Sequence, residues 1–179
     1  DTAAATIAEL KAINAATTGA ITLNALTIAE DYSDTAANLA AAFAGITAGT
    51  HTGILTIDNA STALLEELVT INNVSIGTVV LGTNTIAENY SGSAANLESA
   101  FAGIANGTHQ GTIEATDATT VAQANKFDAV SDGIVTATID STAENLANLT
   151  GTTGAYAITL TTDTAAATIA ELKAINAAT

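Results

Sequence analysis

The chain has 179 residues, a formal net charge of −15 and 48% hydrophobic residues, with no proline, cysteine, methionine or tryptophan. Its only basic side chains are Lys11, Lys126 and Lys173, so it lacks the basic patches that binding to nucleic acid or an anionic membrane surface requires. The apolar content suffices for a core and is too high for a disordered tail. The longest apolar run, Leu39 to Ile46, falls well short of the roughly 20 residues of a membrane-spanning helix.

Asp1 to Thr17 reads DTAAATIAELKAINAAT and returns unchanged as Asp163 to Thr179, a period of 163 − 1 = 162 residues. Within that period Asp1–Asp58 aligns without a gap on Asn59–Thr116, pairing Tyr32 with Tyr90, Phe43 with Phe101 and His51 with His109. Alanine-rich phrases alternate with β-branched ones, and anchoring on the former divides the period into residues 1–32, 33–58, 59–90, 91–116, 117–139 and 140–162. Residues 163–179 then open the next period. Units of this length are typical of coils that stack on one another.

In chain order, Ile7, Leu10 and Ile13 predict a first helix. Ala20–Leu23 predicts a strand and Leu26–Ala29 a second one, copied at Asn84–Ala87. Ser33 or Asp34 is expected to cap a helix carrying Leu39, Phe43 and Ile46, and Ser91 or Ser93 its copy with Leu97, Phe101 and Ile104. Ser61 should cap the helix of Leu64, Leu65, Leu68 and Ile71. Asp140 or Ser141 should open another, with Ser141 and Glu144 at capping-box spacing. Gly45, Gly103 and Gly133 read as helix ends. Strands are expected at Ile54–Ile57, Val79–Leu81, Thr112–Ala115, Ile134–Ile139 and Tyr156–Thr161. Short helices between strands of like direction imply parallel pairing and right-handed crossovers. The expected fold is therefore α/β, a right-handed solenoid with one short helix and one or two short parallel strands per coil. An all-β solenoid with helical-looking corners is the alternative.

The phrases TIAELKAINAATTGAITL (Thr6–Leu23) and YSGSAANLESAFAGI (Tyr90–Ile104) resemble the tandem repeats of very large, acidic, Thr/Ala-rich surface or secreted proteins of bacteria, particularly marine cyanobacteria. The resemblance covers nearly the whole chain. It implies an extracellular or cell-surface location and an adhesive or fibre-forming role such as a surface fibre, a stalk or a biofilm-matrix component, and it brings no catalytic residues. In some such proteins calcium-binding repeats lie nearby, but the G-G-x-G-x-D nonapeptide is absent from this sequence.

Acidic residues recur where strand gives way to helix, at Asp1, Asp34, Asp58, Asp117, Asp140 and Asp163. Stacked in adjacent coils, Asp34, Asp58, Asp117 and Asp140 are candidate weak calcium sites, because calcium takes six to eight oxygen ligands. The first expectation, however, is that each caps its helix. His51 and His109 sit in the phrase G-T-H-x-G, two coils apart and without a third ligand type beside them, which predicts turn or strand-edge residues. Thr-x-Thr pairs at Thr50–Thr52, Thr83–Thr85, Thr136–Thr138 and Thr159–Thr161 evoke an ice- or glycan-binding face but do not recur at one coil position. No nucleophile, base and acid occur together in a catalytic motif, so no enzyme is expected and no cofactor beyond calcium. The expected role is a structural repeat segment of a long extracellular protein, forming a rod or filament by end-to-end stacking. Its partners are further identical repeats or other copies of the chain; nucleic acid and membrane insertion are not expected. A calcium-dependent adhesin stalk or an ice- or glycan-binding face is the alternative.

Overall fold

A computed structural model describes residues 3–152, 154–161 and 166–179. It is an α/β structure with two parallel sheets. In chain order the elements are α1 (Ile7–Ala16), α2 (Ala25–Ala29), β1 (Tyr32–Asp34), α3 (Ala36–Phe43), β2 (Leu55–Ile57), α4 (Leu65–Val74), β3 (Val79–Val80) and α5 (Thr83–Ile86). They continue with β4 (Tyr90–Gly92), α6 (Ala94–Ala100), β5 (Ile113–Ala118), α7 (Val121–Val130), β6 (Val135–Ser141), α8 (Ala143–Leu146), β7 (Ala155–Leu160) and α9 (Ile169–Ala178). None of these helices is long and apolar enough to cross a membrane.

The chain divides into two compact units, one of Asp1–Ala87 with Ser99–Ala105 and the other of Glu88–Glu98 with Asn106–Thr179. In the first, strands pair in the order β1-β2-β3, with Tyr32 opposite Leu55 and Leu55 opposite Val79. These three side chains are buried, whereas Ser33 and Val80 on the opposite face are exposed. The period of two that divides inward from outward residues is that of a sheet with one covered face. In the second unit the order is β4-β5-β6-β7, with Tyr90 opposite Ile113 and Ile113 opposite Val135. Val135, Ala137 and Ile139 point inward from β6 while Thr136, Thr138 and Asp140 face water. A register shift between Glu114 and Ala118 accommodates extra residues of β5 as a bulge.

The helices are too short to persist alone and are held by packing. Leu39, Ala42 and Phe43 of α3, Leu68, Ile71 and Val74 of α4, and Ala124, Phe127 and Val130 of α7 are all buried, at the i, i+3, i+4 or i+6 spacing of one helical face. α1 packs on α3 and α3 on α4; α8 packs on α9.

Several expectations are corrected. Leu26–Ala29 and Asn84–Ala87 are largely the short helices α2 and α5, not strands. A threonine at the middle of each, Thr27 and Thr85, is buried and accepts a backbone N–H from the preceding repeat, a task that a helical turn performs and a strand does not. Ala20–Leu23 is reduced to a single parallel bridge, Ile21 to Ile46. Tyr32 and Tyr90 begin strands the sequence pattern did not indicate. Helix caps fall one or more residues later than expected: Thr35 follows Asp34, Thr142 follows Ser141, and Leu64 stands where Ser61 was expected. Ser61 accepts Ala36 N–H across repeats instead. Capping boxes form at Thr6–Glu9, Thr120–Gln123 and Thr168–Glu171. Hydrogen bonds from each threonine hold the exposed Glu9 and Glu171 carboxyls below the ordinary carboxylate range. With these caps the longer helices begin at residues 7, 36, 65 and 94, evenly 29 residues apart (36 − 7, 65 − 36, 94 − 65).

Candidate functional site: the contact between successive repeats

The residues that the 58-residue repeat duplicates are those that fasten one repeat to the next. Thr27 Oγ1 accepts Ala5 N–H at 3.0 Å, and Thr85 Oγ1 accepts Ala63 N–H at 3.1 Å. Asp31 Oδ1 accepts Ile54 N–H at 2.7 Å, and its counterpart Asn89 Oδ1 accepts Thr112 N–H at 2.8 Å. Asn14 Nδ2 donates to the carbonyls of Ala41 and Ala42, both at 2.9 Å, across the α1–α3 contact. Asn72 repeats this: its Nδ2 donates to Ala100 O at 2.6 Å and its Oδ1 accepts Gly103 N–H at 2.8 Å. Asn125, outside the duplicated pair, does the same with Asn148 O at 2.8 Å and Thr150 N–H at 3.0 Å. An amide side chain suits this position because it donates and accepts at once. It thereby satisfies one carbonyl and one N–H that the helix end leaves unpaired.

Asn72 is the most exposed to loss, since it is itself buried. Replacing it with alanine removes a donor and an acceptor and strands two buried backbone groups, which costs about 2–3 kcal/mol. Chemical denaturation should show that loss with an unchanged m-value, and an effect below about 0.5 kcal/mol would mean the bridge carries no stability.

A second recurring junction joins the phrase His-x-Gly to Ser-x-Gly. His51 pairs in parallel with Ser75, and His109 with Ser131. His51 N–H donates to Val74 O at 3.0 Å, and Ile76 N–H to His51 O at 2.8 Å. The same two bonds, His109 N–H to Val130 O and Asp132 N–H to His109 O, measure 3.0 and 2.8 Å. Two residues on, Gly77 lies against the backbone oxygens of Thr52 and Gly53, and Gly133 against those of Gln110 and Gly111. Gly45, Gly103 and Gly133 thus serve close packing between repeats. Only Gly49 and Gly107, 58 residues apart (107 − 49), have positive φ, at 67° and 66°.

The histidines are core residues, beyond the strand-edge placement the sequence suggests: both rings are 0% exposed. His51 stacks at 5.1 Å from Phe43 and 5.7 Å from Tyr32, ring centroid to centroid, and Tyr32 meets Phe43 edge-on at 5.7 Å. His109 lies 5.5 Å from Tyr90. Neither nitrogen of His51 reaches a partner at hydrogen-bonding geometry. Burial holds His51 below the ordinary imidazole range, with the nearby Thr27 backbone and the Asp31 charge opposing it. Burial pushes His109 down to about 4, the Thr112 backbone opposing. Tyr32 Oη donates to Ala5 O at 2.5 Å, tying the aromatic cluster back to the preceding repeat. One sequence signal foreshadowed the cluster: the Tyr, Phe and His positions are separated identically in both copies (32, 43, 51 and 90, 101, 109).

The acidic candidates act as backbone acceptors where bonds are seen. Asp34 Oδ1 accepts Thr35 N–H and Asn38 Nδ2, both at 2.7 Å. Asp58 Oδ1 accepts Ala60 and Ser61 N–H at 3.1 and 2.8 Å, and Asp117 Oδ1 accepts Ala94 N–H at 2.7 Å. Asp140 is exposed, opposite Thr159 in the β6–β7 register. It lines a groove of about 570 Å³ with Thr119, Thr120, Asn125, Asn145 and Asn148. Asp34 and Asp58 are brought into neighbouring repeats by the bond from Asp58 N–H to Asp34 O, 3.0 Å. Asp1 and Asp163 lie outside the described residues. Among the described residues no three His, Cys, Asp or Glu side chains converge as a metal-holding group. The Thr-x-Thr pairs divide between surface and core: Thr136 and Thr138 face water, but Thr85 is buried.

No family model matches this sequence, and no curated protein or solved structure was found to be similar to it.

Proposed function

We propose that the chain is a structural repeat segment of a long extracellular protein, built as a right-handed α/β solenoid whose coils stack into a rod or filament. The observation that carries this reading is the recurrence, 58 residues apart, of the bonds that join one repeat to the next. Thr27 recurs as Thr85, Asp31 as Asn89, Asn14 as Asn72, and the His51–Ser75 bridge is matched by His109–Ser131. A chain selected for a ligand pocket keeps a few convergent polar groups. Here the duplicated polar side chains are spent on the contact between neighbours, the pattern of a quasi-one-dimensional array. The strongly acidic surface keeps such an array soluble and its copies apart laterally. The resemblance to long acidic bacterial surface proteins supports placing it outside the cell, as a fibre, stalk or matrix component. Scattering from chains of one, two and three periods tests the reading: a stacked array lengthens at constant cross-section.

A further inference from the structure

The sequence TIAELKAINAAT occurs twice, as Thr6–Thr17 and as Thr168–Thr179, and its two helices bury opposite faces. In α1, Leu10 is 2% exposed and Ile7, Lys11 and Asn14 are half-buried, the i, i+3, i+4, i+7 stripe that faces α3. In α9 the same positions are open: Ile169 is 74% and Leu172 45% exposed, and Lys173 and Asn176 are exposed. The covered stripe of α9 is instead Glu171, Ala174, Ile175 and Ala178, on the side that meets α8. In α1 the matching Glu9, Ala12, Ile13 and Ala16 are exposed. One helix sequence therefore has two contact faces, each seen covered once.

We infer that the open face of α9 is a docking site for a second copy of this chain, which it enters by taking the place of that copy's α1 on α3. The site needs no new contacts. Leu172 would fill the position of Leu10, and Asn176 would reach the carbonyls of Ala41 and Ala42 as Asn14 does. Lys173 would reach Asn38 Oδ1 as Lys11 does at 2.5 Å. Ala167 N–H would meet Thr27 Oγ1 in place of Ala5 N–H. Because the exchanged helices are identical, the contact is heterologous and head-to-tail, and each added copy presents another open α9. This inference rests on the structural-repeat reading and names the surface through which separate copies join.

The test uses the full chain, measured by sedimentation velocity over a range of concentrations with circular dichroism as the folding control. The wild type should form a series of oligomers. Leu172→Glu, at a position already open in the single copy, should weaken association by about a hundredfold, as expected when a buried leucine contact is replaced by a charge. Leu10→Glu loosens α1 while leaving α9 intact and should strengthen it. Since the sequence has no cysteine, an Asn38→Cys, Lys173→Cys variant treated with a short bismaleimide provides an independent readout. Covalent dimers and higher ladders on a denaturing gel, abolished by adding Leu172→Glu, support the docking site. Association unaffected by Leu172→Glu, or the absence of any ladder, overturns it. If multi-period chains lengthen as rods while separate copies give no ladder, docking alone fails. If those chains scatter as independent beads, the structural-repeat reading fails as well.

Discussion

Replacing Gly133 or Gly77 with alanine should cost about 3 kcal/mol each, lowering the melting temperature by about 10 °C in a chain of this size. The reason is position, not conformational freedom. A Cβ on Gly133 would stand 2.7 Å from Gln110 O and closer still to Gly111 O; on Gly77 it would stand 2.6 Å from Thr52 O and closer to Gly53 O. These neighbours are backbone atoms of the preceding repeat, fixed by the bonds of His51 and His109 to their partner strands. They cannot swing aside as a side chain would. The repeats must separate locally, and the parallel bridges His51–Ser75 and His109–Ser131 would be lost with the contact. Gly19→Ala is the control: its Cβ would stand 3.5 Å from the nearest atom, Thr17 Oγ1, and melting should not fall. Equal melting of all three variants would show that the glycines do not set the spacing between repeats.

Mild acid should destabilise the protein well above the pH at which carboxylates titrate. A histidine with a depressed pKa in the folded chain binds its proton more weakly there than when unfolded, so the unfolded state takes up protons first and stability falls as pH falls. For His109 the loss begins near the ordinary value of 6.5 and is complete near 4. At 1.36 kcal/mol per pH unit that interval amounts to about 3 kcal/mol. His51 is shifted in the same direction and adds to the loss. Lowering the pH from 7 to 5 should therefore reduce the melting temperature by at least about 5 °C. The double variant His51→Leu, His109→Leu should flatten that dependence. Glu9, Glu98 and Glu171 are held below their usual 4.5 and so favour folding until the pH drops beneath that value, which separates their effect from that of the imidazoles. A double variant that retains the wild-type slope between pH 7 and 5 would place the acid response elsewhere.

Much of the fold could be read before the structure because the signal was duplicated. The stripes of Leu39 and Phe43 and of Leu68 and Ile71 are buried as their spacing implies, and five of the expected strands lie within a residue or two of β2, β3, β5, β6 and β7. What was misread depended on tertiary context. Leu26–Ala29 is short and β-branched, so periodicity alone could not separate strand from helix. The deciding factor is Thr27, whose side chain must reach a backbone amide 22 residues earlier. Threonine caps were passed over for the adjacent serines and aspartates because each has a similar capping propensity. The choice among them is made by which side chains the neighbouring repeat recruits, as Ser61 and Asp117 are recruited by α3 and α6. The histidines were the least legible. A polar residue in a glycine-rich phrase reads as a turn, and only the aromatic rings of Tyr32 and Phe43, distant in sequence, make its burial tolerable.

The account rests on repeats that continue to stack beyond one period, and small-angle X-ray scattering measures that directly. Parallel neighbours rise by about 4.8 Å, so a period of six coils adds roughly 29 Å. Chains of one, two and three periods should share one cross-sectional radius while their length grows by about that increment each time. A cross-section that widens with copy number, or a profile of compact beads on flexible links, would contradict the stacked array.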